Sequence, residues 1–200
     1  KKDLYSEIPN NSDIFEIGTG NGGQMYRWTK LNKVFGVEPD QDHIDEMNKR
    51  LDNYDKNNKD KLLGPKVSVI KAGGEETEKI VKGCRKWFGW KEGTKPRPFF
   101  IVSMLSLSFF WKNLSTFNGL VSPMQELSKA YRNVGGKEVV FIFMTIRGSP
   151  VLRLFSDVQS ENNKKSLVLG PCTMSLLPKT GDELTQKLEI HIEDSIVDKQ

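Results

Sequence analysis

The chain has 200 residues, 36% of them hydrophobic and 28% charged. That length buries about 70% of the unfolded surface in one domain, and the composition excludes a disordered or fibrous chain. No apolar run approaches the ~20 residues of a membrane-spanning helix, so no membrane partner is expected. Basic residues outnumber acidic ones 30 to 26, a net charge of +4, which alone does not identify a nucleic-acid binder.

Asp13 to Ile17 reads as a short strand that ends in a glycine turn, and Gln24 to Lys30 as a helix with Met25 and Trp28 on one face. Val34 to Val37 is a second apolar run, closed by Glu38-Pro39-Asp40. From Asp42 onward, Ile44, Met47, Leu51 and Tyr54 recur at helical spacing. Lys66 to Ile70 alternates as a strand, Glu75 to Phe88 reads as a helix, and Gly89 to Pro98 as a loop. Phe99 to Leu105 is nearly continuous in apolar residues, as a central parallel strand buried on both faces requires. Ser122-Pro123-Met124-Gln125 has a capping-box pattern with proline at the first helical position, and Gly135-Gly136 would stop that helix. Glu138 to Ile146 is read as another buried strand. Strand and helix alternating in this way predict an α/β, Rossmann-like doubly wound sheet, mostly parallel. After Pro150 the alternation weakens, and Leu167 to Leu177 and Leu184 to Ile192 read as an antiparallel pair separated by Pro178 to Asp182.

Cys84 and Cys172 belong to no C-x-x-C pair, and His43 and His191 lack metal-ligand spacing. Reduced thiols and no metal site are the expectation. Basic residues crowd two stretches, Lys82 to Arg97 and Arg147 to Lys165. Each reads either as a solvated face or as a polyanion footprint. The chain begins Lys1-Lys2-Asp3 without a methionine, which suggests a piece of a longer polypeptide.

The segment Ile14 to Trp28 satisfies two nucleotide fingerprints at once. Gly18, Gly20 and Gly23 give the G-x-G-x-x-G spacing of dinucleotide proteins. Glu16, Gly18, Gly20 and Gly22 give the acidic-x-G-x-G-x-G spacing of proteins that bind S-adenosylmethionine. Glu38, 20 residues after Gly18, is placed to accept hydrogen bonds from ribose hydroxyls, which both cofactors have. Glu16 discriminates between them. A carboxylate beside a pyrophosphate is repelled by about 4 kcal/mol per charge pair at 4 Å and an effective dielectric of 20. The ammonium and sulfonium of S-adenosylmethionine are instead attracted, so this is the expected cofactor. A strand-end carboxylate facing a ligand is not core, so Glu16→Ala is expected to weaken cofactor binding without unfolding the protein.

The sequence resembles the mRNA cap guanine-N7 methyltransferases, most closely the methyltransferase domain of capping enzymes from large cytoplasmic DNA viruses of the poxvirus and African swine fever virus type. Three segments carry the likeness. They are Glu16-Ile17-Gly18-Thr19-Gly20-Asn21-Gly22, then Glu38-Pro39-Asp40-Gln41-Asp42-His43-Ile44 with Asn48 and Arg50, and Phe100 to Lys112 with Met144-Thr145. The resemblance implies a class I methyltransferase fold with an antiparallel C-terminal portion. It implies S-adenosylmethionine bound by Glu16, Gly18, Thr19, Gly20, Asn21, Glu38, Gly73 and Leu105. It also implies a cap phosphate on Arg50 and a base against Phe109, Phe110 or Trp111. Residues 1–200 are then one methyltransferase domain, the C-terminal domain of a larger capping enzyme, cut at both ends of the site. The family's helix before the first strand has no room ahead of Asp13, and Glu189 to Gln200 stops short of its guanine-binding acidic-Tyr pair. The implied partners are the capped mRNA 5′ end, the other domains of the same enzyme and an activating subunit. The implied location is the host cytoplasm at the viral factory, with the virion as the other candidate.

Two departures stand out. After the third strand Lys71-Ala72-Gly73-Gly74 offers only backbone, with Glu75 next, and after the fourth Leu105-Ser106-Leu107-Ser108-Phe109-Phe110 replaces the family's Gln-Phe-x-x-His-Tyr. Transfer to guanine N7 needs no general base, because N7 carries a lone pair and no proton, so no catalytic acid or base is nominated. The alternatives are a degenerate methyltransferase fold that serves as a non-catalytic RNA-binding or subunit-docking module, and a methyltransferase of other specificity.

Overall fold

The five residues Asp13–Ile17 (β1) are buried along their whole length, the environment of a strand paired on both edges and covered on both faces. The computed structural model describes residues 4–111, 113–144, 155–156, 165–169, 172–177 and 188–192. Among them β1 pairs in parallel with β2 (Lys33–Glu38) and β4 (Phe99–Met104), β2 with β3 (Val67–Lys71), and β4 with β5 (Val139–Met144). The order β3-β2-β1-β4-β5 is that of a doubly wound α/β fold. The chain winds outward from β1 to β3, then returns to β4 on the far side of β1, and ligands of such sheets bind at the carboxyl ends where the order reverses. The expected mostly parallel, Rossmann-like sheet is thus observed.

One face is covered by α2 (Gln41–Asn57). Asp40 caps it, its backbone extended and its carboxylate accepting from the Asp42 amide at 2.8 Å. Ile44, Met47 and Leu51 are buried on its inner side, and Met47 and Leu51 join Ile14, Val34, Val67 and Val102 in a core that also holds Tyr5 and Trp28. The other face receives α3 (Thr77–Phe88), which buries Ile80 and Cys84. Gly83 lets the Phe35 ring press against the helix where a Cβ would collide with it. Left-handed Gly89 ends α3, and the loop beyond delivers Trp90 into a cluster with Phe88, Phe99 and Tyr131.

Several elements differ from the sequence expectation. The helix expected over Gln24 to Lys30 is one turn, α1 (Met25–Trp28). The Lys30 carbonyl accepts from the Asn11 amide instead of continuing a helix, and its ammonium holds the carbonyls of Tyr5 and Ile8. The helix expected from Pro123 begins nine residues earlier, as α4 (Leu114–Asn133), with Pro123 buried inside it. The operative capping box is Asn113 with Thr116. The Thr116 amide donates to Asn113 Oδ1 at 2.9 Å, and the Asn113 amide donates to Thr116 Oγ1 at 3.2 Å. The strand expected to be buried over Glu138 to Ile146 is β5, the last strand of the sheet among the described residues, and Val140, Phe143 and Met144 are exposed.

The chain divides into two compact units, Lys1–Leu107 with Asn118–Thr145, and Ser108–Phe117 with Ile146–Gln200. The second contains β6 (Lys165–Leu169), β7 (Cys172–Leu176) and β8 (Leu188–Ile192), all antiparallel. The single strand expected over Leu167 to Leu177 is therefore two. A strand running through Gly170-Pro171 would lack a ladder donor at the proline. Pro178 to Asp182, the expected separator, lies outside the described residues.

Candidate functional site

The carboxyl ends of β1 and β2 are tied together by the glycine turn. The amides of Gly18 and Thr19 both donate to the Val37 carbonyl, at 3.0 and 3.2 Å. Gly18, Gly20 and Gly22 all have positive φ, at 72°, 52° and 78°, a region that favours glycine. At Gly18 the close approach also excludes a side chain, because a Cβ would stand 2.5 Å from Ser106 Cβ. Ser106 is held there by donating to the Ile17 carbonyl at 2.5 Å, and its hydroxyl pairs with that of Ser103 at 2.6 Å. Gly20 is the opposite case, with nothing within 4 Å of where a Cβ would be. The outer edge of the turn is open. Thr19 is buried, its methyl against Gly36, and its hydroxyl has no hydrogen-bond partner among the described residues.

Glu38 ends β2 and is 6% exposed. Its Oε2 accepts from the Gly20 amide at 2.8 Å, and its Oε1 from the Asp40 amide at 3.2 Å, with His43 Nδ1 3.3 Å away. The carboxylate therefore lies against the outer edge of the turn, where the sequence assigned a ribose contact. The Ala72 amide donates to the Glu38 carbonyl at 3.1 Å and ties the end of β3 to the same place. Beyond it the Gly73 amide donates to Glu76 Oε1 at 2.8 Å, and the Glu75 carboxylate folds over Gly73. An acid does reach the end of β3, supplied by a residue after the expected position.

Glu16 does not face the open edge. It is 1% exposed, and its Oε2 accepts from the Tyr5 hydroxyl and from Trp28 Nε1, each at 2.8 Å. Burial pushes its pKa up to about 7, against the lowering effect of these two bonds and of the Arg27 charge. Burial and the neighbouring Glu16 charge raise the pKa of the Tyr5 phenol in turn. The expectation that Glu16 contacts the ligand as a non-core carboxylate is corrected. The segment before Asp13, where no helix seemed to fit, forms a turn of 3-10 helix at Leu4–Glu7, and its Tyr5 closes over Glu16.

The remaining assigned residues are spread more widely. Asn21 is half-buried within the turn. Leu105, just past β4, has φ +70° and is 52% exposed, with its amide donating to the Met144 carbonyl at 2.9 Å. A left-handed, non-glycine residue after a central strand is the backbone strain that concentrates at functional sites. Arg50 lies nine residues past Gln41 on α2, about 14 Å along the helix axis. Its Nε donates to Glu46 Oε1 at 3.1 Å in a surface ion pair. Phe109 is 78% exposed and Phe110 half-buried on the short helix Ser106–Trp111. The Trp111 side chain, Lys112 and Thr145 lie outside the described residues.

A concavity of about 700 Å³ runs along α3, lined by Thr77, Val81 and Trp90, by the cations Lys82, Arg85 and Lys86, and by the acids Glu78 and Glu126. Those three cations make no ion pair with any described residue. Of the second basic stretch, Arg147, Arg153 and Lys164 lie outside the described residues, and Lys165 donates to the Phe155 carbonyl at 3.1 Å.

Sequence reasoning missed the Tyr5–Glu16–Trp28 cluster, the Ser103–Ser106 support of the turn and the contact of His43 with Glu38. Only the last had a readable signal, a histidine five residues after a strand-ending acid, at the start of a capped helix.

The chain matches no protein-family model and no curated protein. Solved structures similar to it include an S-adenosylmethionine-dependent methyltransferase from Clostridium acetobutylicum. It is 10% identical, with 97% of this chain and 72% of that one covered, at a TM-score of 0.46. An rRNA methylase from Streptococcus thermophilus is 11% identical, with 96% and 92% covered, at a TM-score of 0.41.

Proposed function

We propose that the chain binds S-adenosylmethionine at the turn Glu16 to Gly22, with Glu38 on the ribose, and transfers its methyl group to N7 of the mRNA cap guanine. The observation that carries the cofactor reading is the turn itself. A dinucleotide's pyrophosphate needs a helix N-terminus directly behind the glycines, where free amides and the summed helix dipole meet the negative charge. Here the helix starts at Met25 and is a single turn, so its dipole is small. The turn instead offers an open edge at Gly20 and the Glu38 carboxylate beside it, which suit a cationic amino acid joined to a ribose. This replaces the repulsion argument from Glu16, since a carboxyl sealed behind Tyr5 and Trp28 neither repels nor attracts at full strength.

The cap reading rests on the resemblance of the Glu16, Glu38 and Phe100 segments to the cap methyltransferases. Bound S-adenosylmethionine supplies an electrophilic methyl on a sulfonium. Glu38 and the turn fix the nucleoside and methionyl halves of that ligand, and Lys82, Arg85 and Lys86, which make no ion pair among the described residues, give RNA phosphates an electrostatic footing. Rate then comes from alignment of nitrogen, methyl and sulfur, with no proton to remove. The other domains of a capping enzyme and an activating subunit remain proposed partners on the same footing.

A second reading, a non-catalytic RNA-binding or docking module, is favoured by the closure over Glu16 together with the missing Gln-Phe-x-x-His-Tyr. Calorimetry with S-adenosylmethionine and NADH tests the cofactor, and transfer of labelled methyl to capped and uncapped RNA tests the reaction. Tighter binding of NADH overturns the cofactor reading. Cofactor binding without methyl transfer to capped RNA leaves the module.

A further inference from the structure

Among the described residues Glu38 is held from three sides, and the three are not equivalent. The amides of Gly20 and Asp40 are main-chain groups fixed by the turn and by the start of α2. His43 is a side chain, 52% exposed, on the first turn of α2, with Nδ1 3.3 Å from Oε1. An ionised carboxylate offers about four acceptor positions. Asp40 and His43 fill those of Oε1 and Gly20 fills one of Oε2, so the remaining position is on Oε2, beside the open edge of the turn.

We infer that His43 is a positioning residue for ribose recognition. By holding Oε1 it stops the carboxylate from rotating, and the free position on Oε2 stays aimed at the place where a ribose hydroxyl docks. The inference rests on the cofactor reading above. Either the neutral Nδ1–H ring or the protonated ring donates to Oε1, so the contact does not depend on one protonation state. The rival role is structural, with His43 steadying the first turn of α2 through its contact with Glu38.

The two roles separate in one set of titrations on the full chain. S-adenosylhomocysteine and its 2′,3′-dideoxyribose analogue are titrated calorimetrically into wild type, His43→Ala and His43→Asn. His43→Ala weakens S-adenosylhomocysteine about three- to tenfold, the range of one net hydrogen bond, and leaves the dideoxy analogue unchanged. His43→Asn, whose side-chain amide donates from nearly the same place, recovers most of the loss. Equal weakening of both ligands with a lowered Tm assigns His43 to the helix and overturns the inference. So does an unchanged affinity for S-adenosylhomocysteine, or a loss that asparagine does not recover. Wild type that binds neither ligand overturns the cofactor reading itself, whereas wild type that binds S-adenosylhomocysteine and ignores position 43 overturns this inference alone.

Discussion

Glu16 and Glu38 occupy neighbouring strand ends of one sheet and are both nearly sealed from water, yet they meet different chemistry. The register aligns Glu16 with Gly36. Glu38 is therefore on the same face and two residues further along, about 6–7 Å beyond. Over that interval the cover changes. At Glu16 the sheet lies under Tyr5 and Trp28, and the carboxyl accepts from two side-chain donors. At Glu38 that cover has ended, and the partners are two backbone amides and an exposed histidine. An acid's place in a motif does not decide whether it faces a ligand; how far the packing reaches along the strand does.

The largest expected effect that tests this comparison is at Glu16. Glu16→Ala leaves the Tyr5 hydroxyl and the Trp28 indole N–H without their acceptor and opens a cavity. A loss of about 2–5 kcal/mol of stability is expected, read as a lower urea midpoint at an unchanged m-value. Glu16→Gln keeps an acceptor and the volume, and it isolates the titration. Burial raises the pKa from an ordinary 4.5 to about 7, so the folded state binds this proton more tightly than the unfolded state does. Wild-type stability relative to Glu16→Gln should therefore fall as pH rises from 4.5 to about 7 and level off above that, by about 3 kcal/mol in all. A difference that stays flat across this window would mean that Glu16 titrates as an exposed carboxylate, and the contrast with Glu38 would be gone.

Glu38→Ala should show the reverse pattern. Cofactor affinity falls by about 1.5–3 kcal/mol, the scale of a hydrogen bond to a charged group. Stability falls by less than in Glu16→Ala, because the Gly20 and Asp40 amides are only part-buried and water can replace the carboxylate. Calorimetry and urea denaturation on the same two variants give the full comparison. Equal stability losses would place both carboxylates in the core.

The fold was legible in the sequence because its cues are local and repeated. Apolar runs marked β2 and β4, four residues at helical spacing marked α2, and Gly89 marked the end of α3. Glu38 was legible for the same reason, as an acid that ends a strand at a fixed distance from a glycine turn. The role of Glu16 was not, because Tyr5 reaches it from 11 residues away and Trp28 from 12, and no spacing rule connects an unpredicted turn to a strand. The start of α4 was misread because Ser122-Pro123 is a stronger local start signal than Asn113 with Thr116. In the folded chain the buried proline is tolerated inside the helix, at a backbone cost of roughly 3 kcal/mol. The place of β5 at the end of the described strand order could not be read from its own residues, since the order of strands in a sheet is a property of the whole chain.

The smallest effect asks how far the Glu38 side of the site extends along α2. Glu38 stands just ahead of the helix and Arg50 about 14 Å further along it, held among the described residues by a surface pair with Glu46, which is worth at most about 1 kcal/mol and gives way readily to a phosphate. If the site extends this far, Arg50→Ala should weaken capped RNA, spare S-adenosylmethionine, and flatten the salt dependence of capped binding by about 0.7 in slope, the share of one single-strand phosphate. Alanine at Lys82, Arg85 and Lys86 should instead weaken capped and uncapped RNA alike, because cations with no ion pair among the described residues act on any phosphodiester. Fluorescence titrations from low to moderate salt, with RNAs that differ only in the cap, measure both slopes. If Arg50→Ala loses capped and uncapped binding equally, Arg50 is a surface arginine of the same kind as Lys82, and the site ends near His43. The cofactor reading is untouched by that outcome, since it depends on the turn and on Glu38.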